Sequence, residues 1–265
     1  MSLATSGAAL GPLLEIRDLV KRFGVLAATD RLSLNVRRGE VHALIGPSGA
    51  GKTSLIAQIA GTLAPDAGHI LFQGRDITRL AAHRRVRQGL VRSFQITRLF
   101  TRFTALENVA LAVQARSGSS LSFWRPVSAE HGLLDEAQAV LEQVGLADRA
   151  DTPCAELPHG EQRSLEVALA LATRPALLLL DEPLAGTGPQ ESERMVALIQ
   201  RLRQTVTILL VEHDVDAVFR LADTVSVLVG GRVIASGAPQ AVRQDPEVIT
   251  AYLGDEAAGE SGHRR

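Results

Sequence analysis

The chain has 265 residues, 46% of them apolar and 22% charged, with a formal net charge of −1. That is length enough for a full core and too even a balance for a broad basic face that grips nucleic acid. The single cysteine, Cys154, excludes an internal disulfide and a cysteine-rich metal site, so a reducing compartment is expected.

Residues 1–12 are small and polar and read as a mobile tail without the charged leader of a signal peptide. "LLEIRDLV" (13–20), "LSLNV" (32–36) and "VHALI" (41–45) read as strands, the last of them buried. "TSLIAQIAG" continues as a helix ending at Gly61, and "HILFQG" and "VRSFQ" read as further strands. "TALENVALAVQA" opens with Thr104 and Glu107 in capping-box spacing and is expected to be a helix. A Ser-rich loop is expected over 116–129, then helices over 131–146 and 161–173. "ALLLLDEP" has the profile of a central parallel strand. After it the order is helix, "VTILLVE", helix, "TVSVLVG", a hairpin arm "GGRVIASG", and a terminal helix at 246–253 before a solvated tail. The alternation gives an α/β fold with no internal repeat. No apolar run reaches the roughly 20 residues that span a bilayer. A cytosolic chain is expected, reaching any membrane through a partner.

"GPSGAGKT", residues 46–53, follows a buried strand and opens a helix, the context that the pattern G-x-x-x-x-G-K-[ST] requires. Gly46, Pro47, Ser48, Gly49, Ala50 and Gly51, with Ser54 just beyond, are expected to form a phosphate-binding loop whose backbone N–H groups, Pro47 having none, turn onto a phosphate at a helix N-terminus. Lys52 would reach the β- and γ-phosphates, and Thr53 would offer its hydroxyl to Mg²⁺. A glycine-rich turn without a ligand would not need the Lys-Thr pair. Asp181, at the end of the apolar run, is placed to hold Mg²⁺ directly or through water. Glu182 falls where a γ-phosphate would lie and could orient or deprotonate a water. His213 ends another buried strand on the same side of the sheet and is a candidate γ-phosphate contact.

With those residues placed, the chain resembles the ATP-binding subunits of ABC transporters over nearly all of residues 13–254. The resemblance implies a P-loop nucleotide-binding domain with a mixed central sheet, an antiparallel β subdomain and an inserted helical subdomain. Its core would be 13–94 with 165–255 and the helical part 95–164, with tails at 1–12 and 256–265. "LPHGEQ" (157–162) occupies the slot of the family's LSGGQ motif, whose helix N-terminus faces the ATP of an opposite subunit. Gly160 and Glu161 would therefore complete a partner's site. Phe23 matches the aromatic that stacks on adenine, and Gln95 the glutamine that senses Mg²⁺ and the attacking water. In this frame Glu182, His213, Lys52 and Gln95 are the catalytic set and Thr53, Gln95 and Asp181 the metal set.

Two positions depart from the family. Pro158 replaces a serine, which either removes a phosphate contact, at the extreme leaving an ABC-type nucleotide sensor with negligible turnover, or merely rigidifies the helix entry. Gly188 in "AGTGP" stands where an aspartate links the two sites. "RSFQITRLFTRFTALENV", "EHDVDAVFRLADTVSVLVGGRVIASGAP" and "VITAYLG" look like the ATPases of branched-chain amino acid importers, with lipopolysaccharide-export ATPases as near neighbours. The resemblance implies a second ATPase chain, identical or paralogous, together with permease subunits and, indirectly, an extracytoplasmic solute-binding protein. It implies no nucleic acid. The site would be the cytoplasmic face of the plasma membrane. Phe123 and Trp124 either contact the permease or pack their own loop.

Overall fold

The computed structural model describes residues 11–93, 99–116 and 127–251. Strands β1 (Leu14–Phe23) and β2 (Leu26–Val36) form a hairpin closed by Gly24 and Val25, with Phe23 opposite Leu26. Both strands run further than the sequence suggested, because their outer halves lie on an exposed face where charged residues interrupt the apolar alternation. Gly24 takes φ 59°, a turn conformation that glycine adopts without steric cost. Strand β3 (Val41–Ile45) begins the second sheet and leads into helix α1 (Lys52–Ala60), which Gly61 terminates at φ 81°. Strands β4 (Ala67–Phe72) and β5 (Arg75–Asp76) return to the hairpin and complete an antiparallel sheet ordered β2-β1-β4-β5.

Helix α2 (Ala82–Arg87) is a six-residue element that the sequence did not announce. It leads to β6 (Leu90–Arg92). Helix α3 (Ala105–Arg116) starts at the expected capping box: the Thr104 amide donates to Glu107 Oε2 at 2.8 Å and the Glu107 amide to Thr104 Oγ1 at 3.2 Å. Helix α4 (Val127–Val144) begins inside the stretch expected to be loop. Helix α5 (His159–Ala172) starts two residues earlier than expected, and packs with α3 and α4 through Val109, Leu141 and Leu165. Residues 1–10, 94–98, 117–126 and 252–265 lie outside the described residues, and with them the expectations placed on Gln95, Phe123, Trp124 and most of both tails.

The remaining elements are β7 (Leu177–Asp181), α6 (Pro189–Leu202), β8 (Thr207–Val211), α7 (Val215–Leu221), β9 (Thr224–Val229), β10 (Arg232–Gly237) and α8 (Pro239–Arg243), followed by helix over 246–251. The larger sheet is ordered β10-β9-β3-β8-β7-β6, parallel throughout except for the β10 edge. Its inner strands are buried on both faces, which explains their unbroken apolar runs. Leu177, Leu179, Leu209 and Val211 join the core under α1, with Leu55, Ile56 and Ile59. Leu178, Leu180, Ile208 and Leu210 point the other way, into the core with Leu165 and Ile199. Side-chain parity along β7 and β8 thus assigns each residue to one of two layers.

Candidate active site

The loop between β3 and α1 is wedged between two backbones. At Gly46 (φ 155°) an added Cβ would stand 2.0 Å from the Leu228 carbonyl oxygen, and at Gly51 (φ 104°) 2.0 Å from that of Ala28. Neither neighbour is a flexible side chain, so any larger residue would drive the loop off β9 or β2. No side chain caps the N-terminus of α1, which leaves its first amides for a ligand. The buried Lys52 ammonium donates to the carbonyls of Gly46 at 2.6 Å and Pro47 at 2.9 Å, bracing the loop from inside.

That loop, Ser54, Phe23 and Leu26 from the hairpin, Glu182 after β7 and His213 after β8 line one cleft of about 310 Å³. Phe23 is half exposed at its rim, with Lys21 Nζ 5.6 Å from the ring centroid. Neighbouring parallel strands deliver the two polar groups: Asp181 pairs with Val211 in register, so the residues just past each strand end side by side. His213 Nε2 lies 2.6 Å from Glu182 Oε1. Glu182 holds this position with φ 50°, a left-handed conformation that costs a glutamate about 1–2 kcal/mol. Its amide donates to the Val211 carbonyl at 2.8 Å, which fixes the strained residue to β8. Among the described residues lining this cleft Glu182 is the one carboxylate, and its strained backbone is held in place by β8.

Asp181 is buried and ion-paired with Arg92 at 2.5 Å. It lines a smaller cleft beside the first, and Glu182 is common to both. Gly160 and Glu161 lie elsewhere, in a cleft between the end of α4, α5 and α6, where Glu161 pairs with Arg149 at 3.2 Å. The chain by itself therefore does not bring them to the phosphate loop. Pro158 is the N-cap of α5, and its carbonyl accepts from the Gln162 amide at 2.9 Å. No side chain caps this helix either, so its leading amides are available. Gly188 is the N-cap of α6 and has open space around it.

Sequence reasoning missed two groups, Arg92 and Glu212. Glu212, adjacent to His213, is buried and accepts from the amides of Leu184 at 2.7 Å and His213 at 3.0 Å. It ties together the loops that carry Glu182 and His213. The doubled carboxylate-histidine step in "LLVEHD" is the signal that could have found it. Burial raises the Glu212 carboxyl above its ordinary 4.5, although the amides of Leu184, His213 and Asp214 oppose that rise. A raised folded-state value contributes stability that is complete below 4.5 and is lost as pH climbs through the folded value. The stability of Glu212→Gln relative to wild type should therefore improve between pH 4.5 and pH 7, measured by urea unfolding at both. A difference that does not change with pH would contradict the burial account.

Residues 29–185 match the family model described as "ABC transporter", and residues 232–258 the one described as "Branched-chain amino acid ATP-binding cassette transporter". The chain is 39% identical to the high-affinity branched-chain amino acid transport ATP-binding protein BraF of Pseudomonas aeruginosa, over 92% of this chain and 98% of that one. It is 38% identical to its counterpart LivG of Escherichia coli, with the same coverage. Among solved structures, an ATP-binding cassette of an ABC transporter in its ADP conformation superimposes with a TM-score of 0.80 at 31% identity, over 92% of this chain and 99% of that one. With the wedged phosphate loop, the strand-end carboxylates and these matches in hand, the chain belongs to the ATP-binding subunits of the ABC transporter family and is an ATPase.

Proposed function

We propose that this chain powers an importer of branched-chain amino acids or related small solutes by binding and hydrolysing ATP. The observation that carries the chemistry is the Glu182–His213 pair at 2.6 Å, in the same cleft as the phosphate loop. The adenine stacks on Phe23, and the phosphates take the loop amides and the Lys52 ammonium. Glu182 accepts a proton from the attacking water, and His213 holds the carboxylate and faces the departing γ-phosphate. Among the described residues no group of three or more His, Cys, Asp or Glu could hold a metal. A nucleotide-borne Mg²⁺ does not need such a group, because phosphates and water supply most of its ligands. The Thr53 hydroxyl, which shares the cleft with the phosphate loop, would be the protein's share, and the ion would neutralise phosphate charge. Asp181, paired with Arg92 in the neighbouring cleft, would have to exchange that partner to join it.

Gly160 and Glu161 would act in trans. Their distance from the phosphate loop within the chain and the uncapped amides of α5 favour a composite site built with a second ATPase chain, identical or paralogous. Residues 95–164 we assign as the helical subdomain that meets the permease subunits, with Gln95 at its start. No helix among the described residues is long and apolar enough to cross a membrane, so the permeases would supply the attachment. The substrate assignment rests on the relatives' names and on the match over residues 232–258. It is tested by reconstituting the chain with the permease subunits and solute-binding protein in vesicles loaded with ATP. Leucine should accumulate, and withholding ATP should abolish the uptake. Intact ATP turnover with no accumulation of any branched-chain amino acid would overturn the assignment.

A further inference from the structure

Between residues 73 and 92 the chain carries six arginines and one carboxylate, against a net charge of −1 overall. Arg85 is buried as the peg that seats α2. Its guanidinium donates to the carbonyls of Gln58 and Ile59 at the end of α1, at 2.7 Å each, and to those of Leu80 at 2.8 Å and Thr78 at 2.9 Å. With that side chain inward, His83, Arg84 and Arg87 share the outer face of the helix, three and four residues apart. Arg75 and Arg79 precede them, also exposed. None of these four exposed arginines enters an ion pair among the described residues. The one carboxylate of the stretch, Asp76, is engaged with the Thr78 amide and His69 Nδ1, at 2.8 Å each.

We propose that this surface docks on anionic phospholipid headgroups, so that the subunit touches the bilayer directly as well as through permeases. Four unpaired guanidiniums on a pegged helix and the turn before it match a plane of phosphates, which arginine grips bidentately. Nothing in residues 73–92 suits a nucleic-acid base, since the stretch holds no Phe, Tyr or Trp. The choice of a lipid surface rests on the transporter reading, because a transporter ATPase works against a membrane. The patch sits at the far end of α1 from the phosphate loop, about 13 Å along nine residues. Substitutions there should spare turnover. Each basic residue near an anionic surface multiplies partitioning roughly fivefold.

The experiment uses the full purified chain, without permeases, and sedimentation with phosphatidylcholine vesicles containing or lacking 40% (about two in five lipids) phosphatidylglycerol at low salt. Binding should require the anionic lipid. Arg84→Gln with Arg87→Gln should weaken it by roughly tenfold or more, while lysine at both positions largely retains it. Arg37→Gln with Arg38→Gln removes the same charge from the exposed turn after β2 and should leave binding within about twofold. ATP turnover, unchanged in both double variants, separates this result from any failure of the ATPase reading. The proposal is overturned by no binding to anionic vesicles, by equal binding to neutral ones, or by equal losses in the two glutamine variants. If the α2 variant binds vesicles normally but no longer co-purifies with permeases, the patch serves a protein and the lipid assignment is wrong.

Discussion

Glu182→Gln is expected to lower turnover by roughly 10²–10⁴-fold while leaving ATP bound, with phosphate release giving kcat and nucleotide titration giving affinity. The amide is nearly the same shape as the carboxylate and keeps an oxygen toward His213 Nε2, which lies 2.6 Å from Glu182 Oε1 in the native chain. The strained backbone at φ 50° and the amide bond to Val211 do not depend on the side-chain charge. What disappears is the basic lone pair that takes a proton from water. Phe23, the loop amides and Lys52 remain, so ground-state binding is retained and only the transition state suffers. If two chains share the sites, the variant should also accumulate an ATP-dependent dimer in size-exclusion chromatography. Turnover within about threefold of wild type would remove Glu182 from the chemistry. Loss of nucleotide binding as well would make it a structural group.

The largest stability effect should come from a residue far from that chemistry. Arg85→Met is expected to cost about 3–5 kcal/mol, because four carbonyls, two buried and two partly buried, lose charge-assisted donors that methionine cannot replace. Burial pulls the Arg85 guanidinium down to about 10, so it remains charged at neutral pH, and its hydrogen bonds offset the cost of seating that charge. It also fills the space over Gly61, where an added Cβ would lie 2.7 Å from Arg85 Nε. Urea unfolding should show a midpoint shift large enough to populate the unfolded state at modest denaturant, given total stabilities of about 5–15 kcal/mol. Arg85→Lys should recover only part of the loss, since an ammonium cannot reach all four carbonyls. A loss under about 1 kcal/mol would mean that water replaces the guanidinium readily and that α2 is not pegged.

The phosphate loop was legible because a buried strand, the glycines, Lys52-Thr53 and a helix all point to one local structure. Buried parallel strands were legible for a similar reason: Leu177–Leu180 and Ile208–Val211 are apolar on both faces. Helix α2 was not legible. "AHRRVR" has no apolar stripe, and its inward-facing group is an arginine whose partners are backbone carbonyls from two other segments. The outer half of the β1–β2 hairpin escaped notice because a half-exposed strand with Lys21 and Arg22 follows no clean alternation. The backbone strain at Glu182 and the pairing of Arg92 with Asp181 arise only when β6, β7 and β8 lie side by side. No single stretch of sequence contains either.

The parity of β7 has a consequence for how such a chain can diverge. Leu177, Leu179 and Asp181 project toward the α1 layer, and Leu178 and Leu180 toward the opposite one. Exchanging one branched aliphatic residue for another within this run alters only packing volume. Deleting or inserting a single residue would transpose the layers and send the Asp181 carboxylate into the wrong one. A comprehensive library over residues 177–181 should therefore yield many functional aliphatic replacements and no functional change of length.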